Sequence, residues 1–137
     1  MTSVSLARSY IEKAVKRLKV LDLLLQEEAY SDVVREAQEA VELALKGMLR
    51  FVGVEPPKYH DVGDILLEHH DRFPPGVREH LERMASISKD LRKERELAFY
   101  GDIDFIPTEE YTAEHGEEAR DGARFVVDAA RRLIVLP

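Results

Sequence analysis

Residues 30–53, YSDVVREAQEAVELALKGMLRFVG, leave little freedom in what this chain can become. Val33, Ala37, Ala40, Val41, Ala44, Met48, Phe51 and Val52 recur at the spacing of an α-helix and mark one apolar face. Its alanines keep that face thin, and a thin face lets a neighbouring helix approach closely. Ser31 is the expected N-cap. Gly53 is the expected stop, because a glycine just past a helix end adopts the left-handed conformation without a steric penalty, and Pro56 and Pro57 bar continuation. Glu42, Lys46 and Arg50 stand four apart on the outer face, acid first, in the favourable order. Such a helix is a packing surface, and the rest of the chain must supply what packs on it.

With 137 residues the chain is expected to form one domain, residues 1–137, large enough to bury a real core. Apolar residues make up 45% and charged ones 34%, a balance that belongs to a soluble globular protein and not to a disordered one. No apolar run is long enough for a membrane span, and the amphipathic N-terminus has no secretory signal, so a cytoplasmic location is expected. Without cysteine there is no disulfide framework, thiolate metal site or thiol nucleophile. The net charge of −7 argues against non-specific nucleic-acid binding, though a local basic groove is compatible with it. The chain lacks asparagine, is poor in glutamine and is rich in Glu, Lys and Arg, a profile that leans towards a thermophilic source.

Ahead of the central helix, Ser3 to Glu27 carries a heptad seam of Ala7, Ile11, Ala14, Leu18, Leu21 and Leu25. Val15, Val20, Leu23 and Leu24 widen it beyond a two-helix seam, which suits a bundle, or a bundle that also dimerises. The connection QEEAYS is short and predicts an antiparallel hairpin. After the prolines, Asp61 caps a short helix to His70 that turns Val62, Ile65 and Leu66 inward, and FPPG breaks the chain again. A fourth helix is predicted from Pro75 to Tyr100, with Val77, Leu81, Met84, Ser88, Leu91, Arg95 and Ala98 on its inward track. Ser88 and Arg95 are polar intruders there. A charge on a core stripe is costly unless paired, and Glu39 and Glu42 are the candidate partners; otherwise Arg95 snorkels to the bundle edge.

In YGDIDFIPTEE, Gly101 ends the helix. Ile103, Phe105 and Ile106 are too apolar for a solvated loop and are expected to pack on the bundle or on a second subunit. Thr108 is the expected cap of a last helix, Glu109 to Leu133, whose inward face is Tyr111, His115, Ala119, Gly122, Val126, Ala130 and Leu133. Gly122 predicts close approach by another helix. The expected architecture is all-α: an up-and-down antiparallel four-helix bundle plus one short helix.

Familiar catalytic signatures are missing, among them the glycine-rich phosphate loop, G-x-S-x-G and H-E-x-x-H. No metal site or cofactor is expected. His60 and Asp64 are helix-spaced, but His69, His70 and Asp71 are contiguous, and Glu79–His80 and Glu114–His115 are adjacent pairs that cannot converge on one ion. His115 reads as a satisfied core histidine. Tyr100 reads either as an amphipathic cap of the bundle end or as a group projecting into a cleft beside Arg95, on a neighbouring face of the helix.

Three features together resemble the HEPN domain family: the small-residue helix with its late lysine at residues 29–53, the proline turn into a short helix, PPKYHDVGDILLEH, and the helix ending RKERELAFYGD. The resemblance covers nearly the whole chain. It implies a helical bundle that usually forms a homodimer and is often found with a minimal nucleotidyltransferase. In active members, an Arg, four to six residues and then a His end the fourth long helix, and two copies cut RNA at a dimer cleft without metal. Here Arg95 is present, but Tyr100 stands where the shortest spacing would place the His, and no His follows Arg92 within the window. Metal-free cleavage needs a proton-transfer group near neutral pH, a task that suits His and suits a phenol poorly.

The expectation is therefore a dimeric partner of a minimal nucleotidyltransferase, or a nucleotide-binding component, in a toxin–antitoxin-like system. Arg92, Arg95 and Tyr100 are the candidates for contacting phosphate, from nucleotide or RNA. The alternative is a divergent metal-independent ribonuclease toxin that uses Arg95 at a dimer cleft with Tyr100 or Asp102. A third reading is a bundle whose only role is assembly.

Overall fold

In a computed structural model describing residues 2–58 and 61–135, four long helices form the body: α1 (Thr2–Gln26), α2 (Tyr30–Phe51), α5 (Leu81–Phe99) and α7 (Ala113–Leu133). Short helices α3 (Val62–Glu68), α4 (Pro75–Arg78) and α6 (Pro107–Glu110) and a single 3-10 turn at His70–Arg72 join them. The bundle runs up, down, up, down, as expected. Gly47 of α2 meets Ala7 and Ile11 at the start of α1, Gly122 of α7 meets Ile87 of α5, and Arg120 of α7 meets Asp22 of α1. α2 and α7 run in the same direction and share the close diagonal, where Ala37, Ala40 and Ala44 and, opposite, Ala119, Ala123 and Ala130 are buried.

α2 is the central element, contacting α1, α3, α5, α6 and α7. It buries more than its predicted stripe: Val34, Gln38, Leu45, Gly47 and Leu49 are enclosed as well. Its start differs from expectation. α1 ends in a Schellman turn, with Glu28 left-handed (φ 58°) and the Ala29 and Glu28 N–H groups donating to the Leu24 and Leu25 carbonyls. α2 therefore begins at once from Ala29, and Ser31 is buried inside its first turn with no capping role. Gly53 (φ 83°) ends α2 as predicted. The outer ladder is shorter than read: Lys46 pairs with Glu42 at 3.4 Å, while Arg50 turns to Glu55.

Asp61 caps α3, its Oδ1 accepting from the Gly63 N–H at 2.9 Å. The helix predicted from Pro75 to Tyr100 is interrupted at Glu79–His80. The His80 N–H reaches only to Val77, a tight i→i+3 turn, and its ring meets Phe125 of α7 edge-on at 5.5 Å. Val77 and Leu81 still both enter the core. At the other end Gly101 (φ 67°) stops α5, and Asp102 and Phe105 exchange both backbone hydrogen bonds in a tight turn. Phe105 packs on the core, whereas Ile103 at the tip is 90% exposed.

The last long helix starts later than expected. Thr108 lies within α6, and Thr112 caps α7. The Thr112 hydroxyl accepts from the His115 N–H, and His115 Nδ1 accepts from the Thr112 N–H at 3.0 Å, a capping box with His in the usual Glu position. His115 is therefore an exposed capping residue and not a core histidine. Gly122 does mark a close approach: a Cβ there would lie 3.2 Å from the Ile87 side chain. No helix of the described residues is long and apolar enough to cross a membrane.

Candidate functional site

Two charged stripes meet where the C-terminal half of α5 lies along the N-terminal half of α2. On α5, Arg92, Arg95, Glu96 and Phe99 share one face by their spacing of three, four and seven; on α2, Arg35, Glu39 and Glu42 do the same. Because the helices are antiparallel, the stripes run past each other as a ladder. Arg92 Nη1 donates to Glu42 Oε1 at 2.8 Å, Arg95 Nη2 lies 3.4 Å from Glu39 Oε1, and the Arg35 guanidinium sits over the Phe99 ring, 4.1 Å from its centroid.

Ser88 and Arg95, both on the predicted inward track, part company. Ser88 is buried, with its Oγ unpartnered among the described residues. Arg95 is not in the core: its side chain is 48% exposed at the bundle edge. Its head reaches solvent beside Glu39, and the cost of an unpaired buried charge does not arise.

Arg35, Arg92, Arg95, Glu96, Phe99 and Tyr100 line one open groove of about 370 Å³. Tyr100 is 76% exposed at the end of α5 and meets the Phe99 ring edge-on at 4.8 Å. Three of the sequence candidates, Arg92, Arg95 and Tyr100, are thus brought together. Asp102 is not: it lies outside the groove lining, and its Oδ1 accepts from the Ile103 N–H at 2.7 Å, which ties it to the turn. Arg35 and Phe99 were missed by sequence reasoning. The signal was there in part, since Arg35 precedes Glu39 by one helical turn on the stripe that faces Arg95.

This arrangement offers planar, always-charged donors beside the exposed Tyr100 ring, which suits a phosphate attached to a flat base. No histidine is among the described residues that line the groove. No group of three or more His, Asp or Glu able to hold a metal forms among the described residues. The His60–Asp64 pair lies outside that set, because His60 is not among the described residues.

Fold and groove define a class, an all-α bundle with an arginine-lined edge at the end of its third long helix. The chain belongs to the HEPN domain family, whose sequence model matches residues 7–133. Two solved structures share the fold: TT1696 from Thermus thermophilus, at 24% identity over 92% of this chain and 96% of that one with a TM-score of 0.68, and ST0689, an archaeal HEPN homologue, at 21% identity over 93% and 97% with a TM-score of 0.71. No curated protein gives a significant match.

Proposed function

We propose that this HEPN protein works as a homodimer that binds nucleotide phosphate, or the phosphate-bearing site of a minimal nucleotidyltransferase, through the groove of Arg35, Arg92 and Arg95, in a toxin–antitoxin-like setting. The observation that carries the reading is that three guanidiniums line one open groove in which Glu96 is the single acid of the lining, in a chain whose net charge is −7. Arg95 is held only by a half-exposed ion pair, so an incoming phosphate can displace Glu39 at little cost. Support for a second copy comes from exposed apolar side chains: Phe99 in the groove, Val20 of α1 in the concavity next to it, and Leu23 and Ile103 elsewhere on the surface.

The test is calorimetric titration of the purified chain with ATP, alongside its sedimentation behaviour. Saturable binding that weakens by about tenfold or more in Arg95→Ala, with a two-fold assembly intact, is the expected result. A monomer that ignores ATP at low salt sinks the proposal. The ribonuclease alternative rests on the same arginine. It replaces the binding reading if RNA decays in the presence of EDTA and the decay disappears in Arg95→Ala.

A further inference from the structure

A second concavity lies on a different face of α5. α5 and α7 touch near Gly122 and Ile87 and part towards Tyr111, leaving a cleft of about 250 Å³ whose floor is Val34 of α2. Ile87, Leu91 and Ala119 give it apolar walls. Its rim carries three acids, Asp90 and Glu94 from α5 and Glu118 from α7, together with His115, whose ring lies edge-on to Tyr111 at 5.4 Å; no Lys or Arg lines it.

The rim differs from the carboxylates that cross-link the long helices. Glu39, Glu42 and Asp22 each have an arginine from the facing helix. Asp90, Glu94 and Glu118 have no ion pair among the described residues. Glu94 is nevertheless fixed in place. The Tyr111 hydroxyl, on a ring only 8% exposed, donates to its Oε2 at 2.5 Å and holds the carboxylate at the mouth. The other oxygen, Oε1, makes no hydrogen bond among the described residues.

We infer that this cleft is a binding site for a small organic amine, its apolar body between Ile87, Leu91 and Ala119 and its ammonium on Glu94 Oε1 between Asp90 and Glu118. The occupant follows from complementarity. An apolar wall rewards a hydrocarbon body, and three unpaired carboxylates at the mouth reward one positive charge and repel an anion. The volume lies below the usual range for drug-sized ligands, which limits the occupant to one ring or a short chain. Nothing in this inference depends on the arginine groove.

Phenethylamine is a suitable probe, with phenethyl alcohol and hydrocinnamate as neutral and anionic analogues, titrated into the intact chain by calorimetry. The amine should bind saturably, the alcohol about tenfold or more weakly, and the acid not at all, with affinity for the amine falling as salt rises. Glu94→Gln keeps an acceptor for Tyr111 and should weaken the amine by about tenfold or more. The double variant Asp90→Asn with Glu118→Gln, at exposed positions, should also weaken it. Equal binding of amine and alcohol, no saturation by the amine, or indifference to all three substitutions overturns the inference. So does a lysine-containing peptide that occupies the cleft when the free amine does not, because the site would then belong to a protein partner.

Discussion

Arg92 on α5 is anchored to Glu42 on α2 by a 2.8 Å hydrogen bond. Glu42 is only 16% exposed and also gathers Lys46 at 3.4 Å, so Arg92 belongs to a three-charge cluster that ties two long helices together. One turn further on, the 3.4 Å contact between Arg95 and Glu39 makes no hydrogen bond and is open to solvent. Two arginines three residues apart both line the groove but are held unequally, Arg92 firmly to the facing helix and Arg95 loosely.

That division predicts unequal costs. Arg95→Leu should change stability by less than about 1 kcal/mol, the usual worth of an exposed pair. Arg92→Leu should cost about 1–2 kcal/mol, because it leaves a largely buried carboxylate with Lys46 alone. Urea unfolding of the two variants gives the comparison directly. A loss above about 2 kcal/mol for Arg95→Leu would mean that assembly closes its pair with Glu39.

Gly101 is the sharpest backbone requirement at the groove end of α5. Its φ of 67° disfavours any side chain, and a Cβ would run into the Phe105 carbonyl and the Pro107 ring. Gly101→Ala should cost about 2 kcal/mol or more and should disorder the turn that follows Tyr100. A thermal midpoint unchanged from the parent chain would contradict this geometry.

Tyr111 gives a pH dependence with a definite sign. Burial, then the hydrogen bond and charge of Glu94, raise its phenol well above the usual value. The unfolded chain therefore loses this proton at lower pH than the folded one. The stabilisation is whole below about pH 10 and is lost as pH rises beyond it towards the folded value. Tyr111→Phe should flatten the fall in unfolding free energy above that pH, measured by urea unfolding at a series of alkaline pH values. A slope identical to that of the parent chain would show that the phenol is not enclosed.

Much of the fold was legible because its determinants are local. The apolar period of α2, the cap at Asp61 and the stops at Gly53 and Gly101 each depend on a few neighbouring residues, and all four stand as read. The failures are places where a competing contact, local in one case and distant in the other, decided between local options. Ser31 could have capped α2, but the Schellman turn at Glu28 starts the helix before it. His80 fits a continuous helix, yet its ring faces Phe125 on α7 at a break in the chain.

The groove was half legible for the same reason. Arg95 announced itself as a charge on an apolar track, and Arg92 and Tyr100 follow from it by helical spacing. Arg35 and Phe99 belong to the groove only because α2 and α5 lie antiparallel in one register, and a single sequence does not contain that register. Asp102 sits close in sequence to Tyr100, but the left-handed Gly101 between them turns its carboxylate into the loop.

The start of α7 offers a clean contrast between sequence expectation and structure. TEEYT holds two threonines able to cap, and the acids after Thr108 favour the first by the dipole rule. The second wins because Tyr111 must be extended (φ −91°, ψ 131°) to bury its ring and reach Glu94, and a helix running through it would not allow that. Thr112→Ala should therefore cost about 1 kcal/mol, the usual worth of an N-cap hydroxyl, whereas Thr108→Ala should be nearly neutral. His115→Ala should lose part of the same energy, since it removes the reciprocal half of the capping box. Chemical denaturation of the three variants checks the order. A larger loss for Thr108→Ala than for Thr112→Ala would move the helix start back four residues and with it the position of Tyr111 in the cleft.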